Sequence, residues 1–189
     1  MNNDASIKPH IHWKLLEAKF YLGAMAEQSR ALFAGIRPSG FNWPNPEHAK
    51  GAQIFLFFFA GFLGAFGSTT YYMQTACEKS NNRWYAKKRQ QAAESRSLLA
   101  AFAFLRNNDV HEKTLALGAG VQHTWRLAQE STSSEFVLNA ESLRTIAAMN
   151  AAPWAAALLT QKPIIQLASD ALRELESVVM EGTSGGHLR

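Results

Sequence analysis

Cysteine is almost absent from this chain. Its 189 residues include one, Cys77, which excludes an internal disulfide and a zinc site built from several thiolates. No basic stretch leads into an apolar one at the start: Met1 to Lys8 is polar, so no signal peptide is visible. One thiol and no leader together point to an intracellular, cytoplasmic protein. Charge is also sparse, 18% of residues against 47% apolar, a balance that buries a core and excludes a disordered chain. The usual catalytic templates are missing. There is no Walker-type glycine loop and no dinucleotide fingerprint after a strand. There is no His-Glu-x-x-His pair and no Gly-x-Ser-x-Gly elbow. His10 and His12 lack neighbouring carboxylate or thiolate ligands and read as an exposed helix start. No metal and no cofactor is expected. Cys77 reads as a small buried side chain, not a nucleophile.

Helical periodicity is what the chain does carry. Ile11, Leu15, Ala18, Leu22, Met25, Ser29 and Leu32 step by four and three, one face of a helix from about Pro9 to Phe33. Gly35, Pro38, Gly40 and Pro44 then make a loop. A second helix is expected from Pro46 to about Lys79. Its thirteen residues from Ile54 to Phe66 are apolar all round. That is short of the ~20 a membrane span needs, so the reading is a buried central helix and no membrane partner. Gly61 and Gly64 would let a neighbour come close. A third helix is expected from Trp84 to Asn107, striped by Leu98, Phe102 and Leu105, with a further short helix starting near Asp109 to Lys113. Val121, His123, Trp125 and Leu127, then Phe136 and Leu138, alternate with polar residues around Ser131 to Ser134. This is the pattern of a small β-hairpin. Pro163 opens a last helix over 162–181, and Gly182 to Arg189 reads as a flexible tail.

Charge is unevenly spread. Residues 1–115 carry 14 basic and 8 acidic side chains, and residues 116–189 carry 5 and 7. Between Glu78 and Arg106 lie Lys79, Arg83, Lys87, Lys88, Arg89, Arg96 and Arg106. Such a band suits a polyanion, with Arg83, Lys87, Lys88 and Arg89 as the candidate nucleic-acid contacts. A solvated helix face has the same composition.

One stretch combines chemistry: Leu105-Arg106-Asn107-Asn108-Asp109-Val110-His111. Arg106 and His111 are five apart, about 140° around a regular helix. Asn107 and His111 are four apart and share a face. A helix break near Asn108-Asp109 would draw all three together. Histidine moves protons near neutral pH, and arginine presents a fork of donors to phosphate oxygens. The pair can cleave RNA without a metal. The ribose 2′-hydroxyl attacks phosphorus, histidine shuttles the proton, and arginine stabilises the crowded phosphate. A second histidine from a two-fold partner would complete the acid–base pair. The same residues also fit a structural role, with Asp109 pairing Arg106 and His111 at a helix end.

Arg106-Asn107-Asn108-Asp109-Val110-His111 resembles the signature of the HEPN superfamily: arginine, a polar residue, three more, then histidine. Leu15 to Leu22 resembles the first helix of a bacterial HEPN-like family. The Phe-rich segment Phe58 to Ser68 is similar to that family's central helix, and Trp84-Tyr85 also resembles its pattern. The likeness spans roughly residues 9–115. It implies a mainly α, antiparallel up-and-down helical bundle over residues 1–115, followed by a C-terminal extension over 116–189. It implies a homodimer with the motifs meeting in a cleft, and a metal-independent endoribonuclease of a toxin–antitoxin or phage-defence system. RNA and an antitoxin protein are then the expected partners. By position, Arg106 would contact phosphate, His111 would act as acid and base, and Asn107 would orient them. The chain departs from the family at Gly64, Gly67 and Ser68, where relatives tend to carry small polar residues and an arginine. The alternative is a non-catalytic HEPN-like module that binds a partner protein, nucleotide or RNA through the same cleft.

Overall fold

The structure, a computed structural model, describes residues 7–34, 45–112, 125–127, 136–138, 153–159 and 162–188. These form α1 (Lys8–Phe33), α2 (Pro46–Lys79), α3 (Trp84–Glu94), α4 (Leu98–Glu112), β1 (Trp125–Leu127), β2 (Phe136–Leu138), α5 (Pro153–Leu159) and α6 (Ile164–Ser184). The fold is mainly α. The expected loop after Gly35, the 115/116 boundary, and Val121 and His123 lie outside the described residues.

Each long helix begins where its sequence allows. Pro9 occupies the first turn of α1, where its missing N–H costs nothing. The Asn45 side chain accepts a hydrogen bond from the Glu47 N–H at 3.0 Å, capping α2 ahead of Pro46. The two helices run antiparallel. His10 stacks on Tyr72 with ring centroids 5.3 Å apart, the Tyr21 ring covers Gly61, and the Gln28 amide donates to the Gly51 carbonyl at 3.2 Å. Rising numbers on one helix meet falling numbers on the other. The α1 stripe Ile11, Leu15, Ala18 and Met25 is buried against Phe55, Phe59, Phe62 and Phe66 of α2. Each of these buried side chains larger than alanine contributes about 1.5–3 kcal/mol. Phe102 of α4 meets Phe62 and Phe66 at 5.9 and 5.7 Å. Among the described residues α2 alone is long and apolar enough to span a membrane, and 56% of that window is buried inside the molecule.

The C-terminal elements share this core. Ile164, Leu167, Ala168, Ala171, Leu172, Leu175 and Val179 of α6 belong to the same buried cluster as α1, α2 and α4. Lys19 of α1 ties to Glu176 of α6. β1 and β2 pair antiparallel, with Arg126 opposite Val137. Phe136 of β2 packs against Phe33 and Phe55 at 5.1 and 4.7 Å.

Three expectations need correction. The helix expected from Trp84 to Asn107 is two helices, because Arg96 takes a left-handed φ of 52°. There the Ser97 N–H returns to the Ala92 carbonyl at 3.0 Å and the Arg96 N–H to Ala93 at 3.2 Å, a Schellman ending. Glu174 of α6 then accepts from the Leu99 N–H at 2.9 Å, capping α4 from across the bundle. Second, the chain does not break at Asn108-Asp109, and no new helix starts at Asp109: α4 continues to Glu112. Third, the expected tail is ordered as far as Leu188. Residues 182–184 complete α6, and the chain closes in another Schellman ending around Gly186, φ 70°. Leu188 is then fully buried.

Candidate functional site

The candidate site lies where α4 crosses α2. Arg106 sits midway along α4, half-buried, and its side chain lies flat on Gly67 of α2. A Cβ on Gly67 would stand 2.5 Å from the Arg106 Nε and 2.7 Å from its Cγ and Cδ. The glycine is what lets the stem pass. Thr70, one turn on, returns its hydroxyl to the Gly67 carbonyl at 2.8 Å, which occupies that oxygen. The buried Arg106 Nε has no hydrogen-bond partner. Its Nη1 donates to the Asn107 Oδ1 at 3.3 Å, and Asn107 is exposed. Among the described residues Arg106 makes no ion pair. A guanidinium anchored by its apolar stem, with no ion pair among the described residues, has donors of the kind that suit an anion.

Arg106 and Asn107 are therefore together. His111 lies one turn further along the same helix backbone, on the Asn107 face by helical spacing. The side chains of His111 and Asp109 lie outside the described residues.

The basic band divides. Arg83 and Lys87 are exposed and make no side-chain hydrogen bond or ion pair among the described residues. Lys88 pairs with Glu181 of α6 at 2.7 Å, and Arg89 donates to the Gln74 Oε1 of α2 at 2.8 Å. These two cations stitch α3 to its neighbours. The hydrogen bond from Lys88, helped by one from the Trp84 indole, holds the Glu181 carboxyl below its ordinary range.

Sequence reasoning passed over Thr70, and it marked Gly67 and Tyr85 without connecting either to Arg106 or to its surroundings. Tyr85 is buried, and that burial pushes its phenol up to about 12, against the opposing pull of Arg89 and the Thr70 hydroxyl. The available signal was the spacing of Gly61, Gly64 and Gly67 along α2. Gly61 is covered by Tyr21 and Gly67 by Arg106, while a Cβ on Gly64 would meet nothing within 4 Å. Cys77 is free and buried, its thiol 3.8 Å from the His187 carbonyl; desolvation pushes its pKa up.

No protein-family model matches this chain, and neither a curated protein nor a solved structure matches it.

Proposed function

We propose that the protein is a metal-independent endoribonuclease of HEPN type, a cytoplasmic component of a toxin–antitoxin or phage-defence system that works as a homodimer. The observation that supports this is the Arg106 guanidinium, carried over Gly67 to Asn107 and making no ion pair among the described residues. In the reaction the 2′-hydroxyl of RNA attacks the adjacent phosphorus, and its proton passes to a His111 imidazole. Arg106 hydrogen-bonds the phosphate oxygens as negative charge gathers on them. The 5′-oxygen leaves with a proton from a second imidazole, which the partner copy supplies, since one histidine fills one proton role at a time. Arg83 and Lys87, exposed and without a side-chain partner among the described residues, would track the RNA backbone.

A second reading is a non-catalytic HEPN-like module. It is favoured by Lys88 and Arg89, which are taken up by Glu181 and Gln74 and leave less charge for RNA. Cleavage assays separate the two. His111→Ala should lower RNA cleavage by about 10²–10⁴-fold, the usual worth of a general acid–base group, with helix content unchanged. Cleavage by the unmodified chain should persist in EDTA. Cleavage that survives His111→Ala, or that needs a divalent cation, removes the nuclease assignment.

A further inference from the structure

Two guanidiniums are anchored along one side of α2. Arg106 of α4 crosses Gly67, and Arg89 of α3 donates to the Gln74 Oε1 at 2.8 Å. Gly67 and Gln74 are seven residues apart, two helical turns, so they share a face about 10 Å apart along the axis. The second anchor is itself held: the Gln74 amide nitrogen donates to the Glu78 carboxylate at 2.7 Å, which turns the amide oxygen toward Arg89. Gln74 is neutral, and one hydrogen bond occupies only part of a guanidinium's fork of donors. Arg89 is exposed.

Between the two stands Tyr71, one turn past Gly67 and three residues before Gln74, with 63% of its surface exposed. Long helical side chains lean toward the helix N-terminus, which carries this ring back over the turn that Arg106 crosses. Tyr72 braces it edge-on, ring centroids 5.7 Å apart, and Tyr72 is stacked in turn on His10. The floor of the row is continuous. The Thr70 hydroxyl returns to the Gly67 carbonyl and hydrogen-bonds the buried Tyr85 phenol, on which the Arg89 charge also acts.

We propose that this row seats a single-stranded segment of RNA, with one base stacked on Tyr71 and the phosphates on its two sides held by Arg106 and Arg89. The inference names the substrate class of the nuclease site and rests on that reading for RNA as the ligand. Cations spaced along a backbone track, with an exposed aromatic ring between them, suit a single strand because every base offers a face to stack. A duplex cannot use the ring, since its bases are already stacked and paired inside the helix. Glu78 closes the far end of the row with a negative charge, so the strand extends from Arg89 past Tyr71 toward Arg106 and Asn107.

The test is equilibrium binding of the full chain to a short fluorescent oligoribonucleotide, 2′-O-methylated throughout so that it cannot be cut. Tyr71→Ala should raise Kd by about 5- to 100-fold, the worth of one stacked base. Tyr71→Phe should stay within about two-fold of the parent, because stacking uses the ring and not the hydroxyl. Arg89→Gln should lower the slope of log Kd against log salt by about 0.7, one phosphate contact on a single strand. Arg89→Lys should keep that slope, and Tyr71→Ala should leave it unchanged. Helix content should be the same in all four variants. No binding by the parent chain overturns the proposal, as does equal affinity for the matching duplex or for polyglutamate, or a Kd indifferent to Tyr71→Ala. Binding is read without cleavage. A chain that binds as described but leaves unmethylated RNA intact therefore loses the nuclease assignment and keeps this one, and a chain that cuts RNA with Tyr71 indifferent loses this one alone.

Discussion

The His187 imidazole stacks on the Trp84 indole, ring centroids 5.1 Å apart and planes 12° from parallel. This joins the last residues of the chain to the first turn of α3. Asn82 fixes the imidazole through a 3.2 Å contact to its Nδ1, and the Trp84 N–H donates to the Asn82 Oδ1 at 2.8 Å. Gly182 makes room: a Cβ there would stand 2.6 Å from the indole. The terminus is thus a clasp over the α2–α3 turn, closed by the buried Leu188.

Leu188→Ala should therefore destabilise the protein by about 2–3 kcal/mol, the lower part of the range for truncating a buried leucine. Deleting residues 185–189 should cost at least as much and shift Trp84 fluorescence to the red. Urea denaturation measures both. Unchanged midpoints would mean that the segment does not pack as described.

Gly67→Ala gives a result opposite in sign to helix propensity. In an open helix the change gains about 1 kcal/mol. Here the new methyl group collides with the Arg106 stem, so a loss of about 1–3 kcal/mol is expected from overpacking. Adding Arg106→Ala should recover much of that loss, because the second change removes what the first collides with. Additive single and double changes, measured as a denaturation cycle, would show that the two residues do not touch.

The stripes of α1 and α6 were legible because burial on one side imposes its period directly on residue type. Ile11, Leu15, Ala18 and Met25 stand at the spacing of one helix face, and all four are buried. The Arg106-to-His111 motif could be read as chemistry for the same reason: its types and spacing are local. The α3–α4 division was not legible, since its left-handed residue is an arginine and the turn is held by Glu174, 75 residues from Leu99. The clasp was hidden likewise. Gly182 to Arg189 looks like a tail in composition, and only the distant Trp84, Asn82 and Cys77 make it a docked end. Gly67 was noticed as small, but the stem that needs it belongs to another helix.

Arg96 offers a gain. Its φ of 52° is one that a side-chain-bearing residue adopts at a cost of about 1–2 kcal/mol, at the position where a Schellman ending most often carries glycine. Its side chain is exposed. Arg96→Gly should raise stability by up to about 1 kcal/mol, part of the relief being offset by the greater freedom of glycine in the unfolded chain. Arg96→Val should lower it. A fall in the urea midpoint for the glycine variant would contradict the assigned backbone geometry.

Tyr85 sets an alkaline limit. Its phenol ionises near 12 in the folded protein, against 10 for the free group, because burial disfavours the phenolate. A folded pKa above the unfolded one means that the neutral phenol favours the native state. That stability is complete below about pH 10 and is lost as pH climbs toward 12, since the unfolded chain releases the proton first. The ionisation should therefore appear in near-ultraviolet absorbance together with loss of helix. Tyr85→Phe keeps the buried ring and removes the ionisable group. At neutral pH it should cost no more than about 1 kcal/mol, the worth of one hydrogen bond. Above pH 10 its stability should fall less steeply than that of the parent chain. Parallel curves for the two proteins between pH 9 and 12 would show that the phenol is not buried in this way.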